Sequence, residues 1–457
     1  METLNATDLG ALTLKHWRPV QLDLDGEPLV LEECLRLLPG KRIAARARYR
    51  DAIVFAKVFF ESGHQRLAER EMDTLRQLQD QGVQVPEPLA VRLGTGVTVV
   101  LTEWLEGGTP VADALGLKDE TVLQSLLSQI DHMYRAGWYQ RDLHLDNFVW
   151  LGGRVRVLDA GAMAALPASR FRRNRLVIRN LALLCAQASL DQAGFLRSRI
   201  EGYFECSGRR QRQLARAIRH ARNRRIRRAR RKWLRSCSAL HRTRLEGGTL
   251  LLDRGQECNE AELSGLLRDP ESATLIKQGS RIHVYGTRNW VIKEYRDSSL
   301  RARVKQRLGL DSARRSWVMG WTLSMLGVPT PRPVAWLRER RGQSVLIYPR
   351  LAGPRLSDLM EQEPNYAHAL TPLVLDWLGL MGEAGCWHGD TKAQNVLIVN
   401  ESPWLIDLDA AGWSRWRWRS HRRNRMDVRR FRANRTQFVP IEDYRLTKAE
   451  ENRETQR

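Results

Sequence analysis

The chain contains the same pattern of polar residues twice, at one spacing. The run Asp142-Leu143-His144-Leu145-Asp146-Asn147 is followed, twelve residues after its Asn, by Asp159. The run Asp390-Thr391-Lys392-Ala393-Gln394-Asn395 is followed, again twelve residues after its Asn, by Asp407. An Asp, an Asn five positions later and a second Asp beyond it are typical of enzymes that transfer the γ-phosphoryl group of ATP. Because two matches at identical spacing are hard to obtain by chance, the sequence predicts a tandem repeat of one fold.

The first repeat supplies a complete set of residues for this chemistry. Lys57 lies on a strand-like segment and would contact the α- and β-phosphates of ATP, while Glu71 on the following helix would hold it in place. Asp142 would orient the hydroxyl group of the acceptor and is the predicted catalytic residue. Asn147 and Asp159 would hold Mg²⁺, which offsets the charge that gathers on the transferred phosphoryl group.

The second repeat has corresponding residues at most of these positions. Lys293 would contact the phosphates, Asp390 would be the catalytic residue, and Asn395 and Asp407 would hold Mg²⁺. Lys392, two residues after the Asp, carries a full positive charge and is suited to contact the γ-phosphate. The second repeat is therefore also predicted to bind ATP and Mg²⁺.

The second repeat differs from the first at the position of the acid that would pair with the lysine. Gly82 and Gly327 each begin a Gly-Val-x-x-Pro motif, and counting back from it places Ser316 where the first repeat has Glu71. Either another acid pairs with Lys293, or the second repeat tolerates an unpaired lysine and is a weaker catalyst. The sequence leaves both interpretations open.

Neither repeat has a glycine-rich loop of the GxGxxG type. Gly40 and Gly279 are the candidates for a turn whose backbone amide groups contact phosphate. The position before Arg141 is Gln140, where the second repeat has His388-Gly389-Asp390. For each repeat, a degenerate domain that keeps the fold and has lost turnover is the alternative interpretation.

Each half of the chain follows the element order of a protein-kinase-like domain. The predicted elements are strands at 41–49, 53–59 and 97–105 with a helix ending near Gly82, and strands at 282–285, 290–295 and 344–348 with a helix ending at Gly327. The predicted fold class is α+β, with two tandem protein-kinase-like domains at 1–248 and 249–457. Each domain would have a small β-rich N-lobe and a mainly helical C-lobe, with a linker at 246–248.

The positive charge of the chain is concentrated in one segment. The net charge is +23, and residues 208–244 contain fifteen Arg, one Lys and no acid. Apolar residues from Leu214 to Leu240 recur at roughly helical spacing, which predicts a basic helical segment belonging to the first domain. Such a helix either docks on its own domain with its Arg side chains in solvent, or also contacts an anionic lipid or a phosphorylated glycan.

The composition excludes several other classes of protein. No run approaches the ~18 apolar residues that a membrane span requires, and the chain does not open with a basic and then apolar leader. The six cysteines form no CxxC pair, so a zinc site or a disulfide framework is not expected. The predicted localisation is the cytoplasm, with the basic segment at a membrane surface.

The segment after Asp407 bears on the substrate. Residues 413–419 alternate Trp with Arg or Ser, which suits a sugar on an indole ring with its phosphates on guanidinium groups, a membrane interface, or a packed segment. No Ala-Pro-Glu segment follows either metal-binding Asp, which argues against a peptide substrate. No recognised nucleic-acid-binding module is present, so nucleic acid is not an expected partner.

At these residues the chain resembles the lipopolysaccharide kinase (Kdo/WaaP) family. The likeness rests on segments of both halves: 38–42, 54–57, 70–71 and 141–148 in the first, and 290–293, 313–317, 329–333, 388–390 and 406–409 in the second. It covers nearly the whole chain. Aminoglycoside-type phosphotransferases share the His-Gly-Asp and Ile-Asp-x-Asp elements.

The resemblance implies ATP-dependent phosphorylation of heptose or Kdo sugars of the nascent lipopolysaccharide core. The implied place is the cytoplasmic face of the inner membrane of a Gram-negative bacterium. Two alternatives stay open: a non-catalytic scaffold of two pseudokinase domains that regulates core assembly, and an enzyme that phosphorylates a soluble, aminoglycoside-like molecule. The resemblance does not decide whether one or both repeats are active.

Overall fold

The computed structural model describes residues 8–9, 17–115, 119–245, 248–339 and 343–435. It shows an α+β protein with 47% helix and 28% strand, arranged in several antiparallel sheets. The described residues group into two compact units. Unit 1 lies within Met1–Gln187 and Ser198–Ile218, and unit 2 lies within Ala188–Arg197 and Arg219–Arg457. The domain boundary expected at residue 248 stays a prediction, and residues 246–247 of the expected linker lie outside the described residues.

The helices of the described residues vary from five to 25 residues in length. They are α1 (His64–Asp80), α2 (Val111–Leu115), α3 (Glu120–Arg135), α4 (Arg170–Gln187), α5 (Leu190–Tyr203), α6 (Gly208–Lys232), α7 (Glu260–Arg268), α8 (Leu300–Arg307), α9 (Ser312–Met325), α10 (Leu356–Gln362), α11 (Pro364–Glu383) and α12 (Arg417–Arg435). None of them is long and apolar enough to span a bilayer.

The strands of unit 1 form a six-stranded sheet in the order β1-β2-β3-β4-β6-β5, and two small sheets in the orders β10-β9-β7 and β11-β8. They are β1 (Val20–Leu24), β2 (Glu27–Leu38), β3 (Arg42–Tyr49), β4 (Ala52–Phe59), β5 (Pro88–Gly94), β6 (Val97–Glu103), β7 (Thr109–Pro110), β8 (Trp138–Gln140), β9 (Phe148–Leu151), β10 (Arg154–Val157) and β11 (Met163–Ala165).

The strands of unit 2 form a seven-stranded sheet in the order β12-β13-β17-β18-β16-β15-β14, and the pairs β19-β22 and β20-β21. They are β12 (Leu240–Arg244), β13 (Gly248–Asp253), β14 (Thr274–Gln278), β15 (Ile282–Gly286), β16 (Trp290–Tyr295), β17 (Ala335–Glu339), β18 (Ser344–Pro349), β19 (Cys386–Trp387), β20 (Val396–Val399), β21 (Ser402–Leu405) and β22 (Gly412–Trp413).

Hydrophobic alternation explains the large sheet of unit 1. Every second residue of β3, from Ile43 to Tyr49, is buried, as a strand with one face on the core requires. On α1 the buried residues recur every three or four positions, including Ala68, Met72 and Leu75. Glu71 lies on the same buried face, so the helix carries one acidic side chain toward the interior.

A group of tryptophans forms part of the core of unit 2. Trp317 on α9 is fully buried, with its ring centroid 6.0 Å from that of Trp321 and 5.9 Å from that of Trp336. The indole N–H of Trp317 donates to the backbone carbonyl of Trp233 at 2.7 Å. Burial of the ring and satisfaction of its polar atom together fix α9 against this core.

The structure confirms the strands and helices that the sequence predicted in both halves. The predicted strands correspond to β3, β4, β6, β15, β16 and β18, and the predicted helices to α1 and α9. The basic helix is shorter than expected. It ends at Lys232, and residues 240–244 form strand β12, which pairs with β13.

A turn and a strand follow the end of the basic helix. The hydroxyl of Ser236 accepts a hydrogen bond from the backbone N–H of Arg242, and the backbone N–H of Cys237 donates to the carbonyl of Leu240. Because residues 240–244 pair with β13, they do not continue the helix. The prediction that 208–244 is one helical segment was therefore wrong beyond Lys232, although the apolar spacing continues.

Replacement of Trp317 by Ala should destabilise the protein by about 3–5 kcal/mol, because the change removes a fully buried ring and leaves a cavity. Trp317→Phe should cost less, since it keeps a ring and loses chiefly the hydrogen bond to Trp233. The free energy of unfolding, measured by urea titration, checks both values. Trp418→Ala is the control, because that side chain is 68% exposed. Equal effects of Trp317→Ala and Trp418→Ala would contradict the packing described for Trp317.

Candidate functional site

Three predicted residues of the first repeat meet at Lys57. The Lys57 Nζ atom donates to Glu71 Oε1 at 2.6 Å and to Asp159 Oδ1 at 3.1 Å. Lys57 is 8% exposed and Glu71 is 5% exposed, so both charges are almost removed from water. An unpaired buried charge costs several kcal/mol, and the two carboxylates offset this cost. Strand β4, helix α1 and the loop after β10 are thereby joined at one ammonium group.

The charge of Lys57 also determines the ionisation of Asp159. Burial alone would raise the pKa of Asp159, but the nearby ammonium group of Lys57 outweighs it, and the pKa lies below its ordinary value. Asp159 is therefore ionised at neutral pH. A carboxylate in this state can bind a cation.

The loop that carries Asp142 and Asn147 is held beside Asp159 by hydrogen bonds. Asn147 Nδ2 donates to the backbone carbonyl of Asp142 at 3.0 Å, and the backbone N–H of Leu158 donates to the carbonyl of Asn147 at 2.9 Å. Gln140 Nε2 donates to the carbonyl of Asp159 at 3.2 Å. The structure thus brings five of the six predicted residues of the first repeat, all except Gly40, into one region of unit 1.

In the second repeat Lys293 also meets two carboxylates. Its Nζ atom lies 2.7 Å from Asp407 Oδ1 and 2.7 Å from Asp409 Oδ2. Burial alone would lower the pKa of Lys293, but the charges of Asp409 and Asp407 outweigh it and raise the pKa above its ordinary value. The pKa of Asp407 shifts in the opposite direction. Burial would raise its pKa, and Lys293 holds the pKa below its ordinary value.

Asp409 is the functional residue that the motif comparison missed. Asp409 is the second acid that pairs with Lys293, so this lysine is paired although Ser316 stands at the helix position of Glu71. Ser316 Oγ donates to Asp409 Oδ1 at 2.5 Å, and Tyr295 Oη donates to the same oxygen at 2.7 Å. The signal was present in the sequence, since Asp409 lies two residues after Asp407. Its partner could be identified only from the fold.

The two sites place the lysine's second acid on different elements. Asp409 corresponds to Gly161, which lies two residues after Asp159. A Cβ atom added at Gly161 would lie 2.8 Å from Glu71 Oε2, so a side chain there would displace the Glu71 carboxylate. In the first site the second acid is Glu71 on helix α1, and the loop position is Gly161. In the second site the second acid is Asp409 on the loop, and the helix position is Ser316.

A third position changes together with these two. Phe59 and Tyr295 each lie two residues after the lysine, and the ring of each lies close to the ammonium group, at 5.7 Å and 5.6 Å. Only Tyr295 has a hydroxyl, and that hydroxyl bonds to Asp409. The set Phe-Glu-Gly in unit 1 thus corresponds to the set Tyr-Ser-Asp in unit 2. Each set keeps the lysine paired.

The loop that carries Asp390 and Asn395 is fixed in the same manner as the corresponding loop of the first repeat. Asn395 Nδ2 donates to the carbonyl of Asp390 at 2.8 Å, and the backbone N–H of Ile406 donates to the carbonyl of Asn395 at 2.9 Å. Lys392 Nζ lies 3.2 Å from Asp390 Oδ1. The predicted residues of the second repeat therefore also lie in one region. Lys392 contacts the carboxylate of Asp390, and a contact with phosphate stays a prediction.

His388 and Gly389 position the backbone of this loop. The backbone N–H of Asp390 donates to His388 Nδ1 at 3.4 Å, which leaves Nε2 to donate to the carbonyl of Ile406 at 2.9 Å. Burial lowers the pKa of His388, so the ring is neutral at pH 7. Gly389 has a φ of +90°, and a Cβ atom there would lie 2.2 Å from the carbonyl oxygen of Ala410. Only glycine fits this position.

In the first repeat Gln140 stands at the position of His388 and makes a similar hydrogen bond. Gln140 donates a hydrogen bond to the backbone carbonyl of Asp159, and His388 donates one to the carbonyl of Ile406, the residue before Asp407. His144, two residues after Asp142, accepts a hydrogen bond from the backbone N–H of Asp146 at 3.3 Å. This contact favours a structural role for His144.

The two predicted phosphate-binding glycines lie in hairpin turns. Gly40 has a φ of +68° and lies between β2 and β3. Gly279 lies between β14 and β15, and its backbone N–H donates to the carbonyl of Ile282 at 3.0 Å. That amide group is therefore engaged within the hairpin. Contact of either turn with phosphate stays a prediction.

The donor atoms suit a hard divalent cation held jointly with phosphate. Asp159 and Asp407 are ionised carboxylates, and in the part of the chain that the structure describes no donor contacts Asn147 Oδ1 or Asn395 Oδ1. The described residues contain no cluster of three or more His, Cys, Asp or Glu side chains that could enclose a metal. Mg²⁺ typically uses one or two carboxylates and takes its other ligands from water and substrate phosphate, so the residues fit Mg²⁺.

The Trp-Arg segment after the second site is partly open to solvent. Trp416 is 54% exposed and Trp418 is 68% exposed. The guanidinium of Arg415 lies 4.5 Å from the centre of the Trp416 ring. The two indole rings are therefore partly exposed to solvent at the start of α12, with the Arg415 guanidinium against that of Trp416.

Comparison with known proteins adds no assignment. No protein-family model matches the chain, and no curated protein sequence is significantly similar to it.

The difference between the two sites can be tested by introducing Phe, Glu and Gly, the residues of unit 1, at the corresponding positions of unit 2. Asp409→Gly should lower the free energy of unfolding by about 1–3 kcal/mol, because it leaves Ser316 and Tyr295 without their acceptor and Lys293 with one carboxylate. The triple variant Tyr295→Phe/Ser316→Glu/Asp409→Gly should recover more than half of this loss. Urea titration of the two variants and the wild type measures the recovery.

Tyr295→Phe/Asp409→Gly is the matched control, because it removes the same polar atoms without supplying the new acid. If the triple variant has no higher free energy of unfolding than this control, a Glu on the helix cannot replace Asp409.

Proposed function

We propose that the chain is an ATP-dependent phosphotransferase built from two tandem protein-kinase-like domains. One observation carries the proposal. A lysine with a largely buried side chain and an Asp, an Asn and a second Asp about a hundred residues further along the chain come together twice with the same hydrogen bonds. Kinase-like enzymes use these residue types to bind Mg·ATP and to direct a hydroxyl at the γ-phosphate.

The roles of the residues follow from their charge and position. Lys57 and Lys293 would bind the α- and β-phosphates, each exchanging part of its contact with a carboxylate for contact with phosphate. Asn147 with Asp159, and Asn395 with Asp407, would hold Mg²⁺. Bound Mg²⁺ would supply positive charge to the phosphoryl group as it is transferred. Asp142 and Asp390 would accept a hydrogen bond from the acceptor hydroxyl and orient its oxygen for attack.

The proposed acceptor is a sugar hydroxyl of heptose or Kdo in the inner core of lipopolysaccharide, a polyanionic glycolipid at the inner membrane. Two features support this choice beside the resemblance in sequence. Helix α6 carries arginine along its length with no acid, which favours an anionic partner. The exposed rings of Trp416 and Trp418 offer flat surfaces on which a sugar can stack.

A mutation series with labelled ATP tests the activity. The measurement is transfer of phosphate to dephosphorylated core lipopolysaccharide by the wild type, Asp142→Ala and Asp390→Ala. Loss of the catalytic Asp should lower the rate by about 10²–10⁴ in a working domain, because the acceptor is no longer oriented. Transfer should also require Mg²⁺ and stop when the ion is chelated.

Two variants control for unspecific damage. Asp113→Ala and Asp376→Ala each remove an exposed helical carboxylate in the same type of substitution, and both should keep the wild-type rate. Loss of transfer in one catalytic variant alone would identify the active domain. If the wild type binds Mg·ATP and transfers no phosphate to the glycan, the proposal is wrong and a non-catalytic scaffold is favoured. Transfer to an aminoglycoside instead would favour a small-molecule kinase.

A further inference from the structure

Unit 1 contains a cleft of about 470 Å³ between helix α4 and the first half of helix α6. Five arginines from the two helices line it: Arg175, Arg179, Arg209, Arg210 and Arg216. No Asp or Glu is among the lining residues. We refer to this feature as the arginine cleft. None of its lining residues belongs to the set around Lys57, Asp142 and Asp159.

The five arginines are uncompensated within the described structure. All five are exposed, and none makes a hydrogen bond or an ion pair through its guanidinium group with another described residue. Elsewhere in unit 1 arginines are paired: Arg46 and Arg48 both contact Glu32. Since five like charges around one cleft repel each other, an anion placed among them would be stabilised by all of them.

The ends of the two helices increase this positive potential. Helix α4 begins at Arg170 and helix α6 at Gly208, and neither has an acidic residue in its first turn. Arg209 and Arg210 lie instead in the first turn of α6, where the helix dipole already disfavours cations. The sequence therefore places basic residues where they lower helix stability. Such placement is explained when an anionic partner binds there.

The interior of the cleft is apolar. Ile178 and Ala217 are half-buried within it, and Phe171 at its edge is 74% exposed. Arginine stems with aliphatic and aromatic side chains between them match a surface that is charged outside and apolar within. A bilayer interface has this character, with phosphate groups above and acyl chains below. A single-stranded nucleic acid would instead require a row of stacking aromatics, and the cleft has one.

We propose that the arginine cleft docks unit 1 on a membrane that contains anionic phospholipid. The guanidinium groups of the five arginines contact lipid phosphates, and the ring of Phe171 enters the boundary between headgroups and acyl chains. This inference deepens the proposed function, since a glycolipid substrate would be held in the same membrane. It locates the docking surface at the start of α6 together with α4, and not along the whole basic helix.

Binding to lipid vesicles, measured by flotation without ATP or glycan, tests the proposal independently of catalysis. The probes are vesicles of phosphatidylcholine alone and vesicles of equal parts phosphatidylcholine and phosphatidylglycerol. The wild type should bind only the anionic vesicles, and added salt should release it. Replacement of all five cleft arginines by Gln should weaken binding more than about 100-fold, because each basic residue near an anionic surface contributes roughly fivefold.

The second half of α6 provides a matched control. Arg219, Arg224, Arg227, Arg228 and Arg231 are also exposed, so their replacement by Gln removes the same number of charges, all of them from α6 and none from the cleft. This control should reduce binding far less than the cleft variant. Phe171→Ser, which keeps every charge, should weaken binding roughly tenfold through loss of apolar contact.

The remaining outcomes overturn the proposal. Equal losses in the cleft variant and the control would mean that diffuse charge binds the membrane and that the cleft is not a site. Wild-type binding to a short RNA that the cleft variant loses, with no binding to vesicles, would assign the cleft to nucleic acid. Circular dichroism of each variant verifies that the helices are intact. Because phosphate transfer is not measured, failure here leaves the proposed function standing, and failure of transfer leaves membrane docking standing.

Discussion

A lysine whose side chain is largely buried, and which must therefore be paired, is the constraint on which the rest of each site depends. Lys57 and Lys293 both lie on a central strand of a sheet, next to its core, where an unpaired ammonium group would cost several kcal/mol. The acids that satisfy them come from other elements, so pairing fixes the relative positions of strand, helix and loop. The backbone next to Asp159 or Asp407 is in turn hydrogen-bonded to Asn147 or Asn395, on the loop that also carries Asp142 or Asp390. In each unit the geometry of the candidate site follows from satisfying one charge.

The two units satisfy this constraint by different means, and the difference has a mechanical consequence. In unit 1 the carboxylate of Glu71 belongs to α1, so any shift of that helix would break the ion pair. In unit 2 both acids belong to the loop at 407–409, and α9 contributes only the hydroxyl of Ser316 and the guanidinium of Arg315, which donates to the Asp409 carbonyl. Pairing of Lys293 is therefore less sensitive to the position of the helix. A missing Glu is not by itself a sign of a defective site.

The sequence predicted the parts of the site that depend on local order. The strands and helices of both halves followed from alternation and helical spacing, and Lys57, Glu71 and Asp159 lie at motif positions that could be read directly. The role of Asp409 could not be predicted, because it depends on Tyr295 and Ser316, which lie about a hundred residues away and meet it only in the fold. The end of α6 at Lys232 was missed for a related reason. The pairing of β12 with β13 overrode an apolar pattern that continued to Leu240.

The distribution of arginine separates structural from functional charge. Several arginines that serve the fold bind an acid or a backbone carbonyl, as in the contacts of Arg46 and Arg48 with Glu32, or of Arg315 with the carbonyl of Asp409. The arginines of the cleft between α4 and α6 have no such partner among the described residues and lie partly at a helix end that disfavours them. Since this placement lowers the stability of the folded protein, stability cannot be the reason for it. An anion bound in the cleft, as proposed above, would offset this charge.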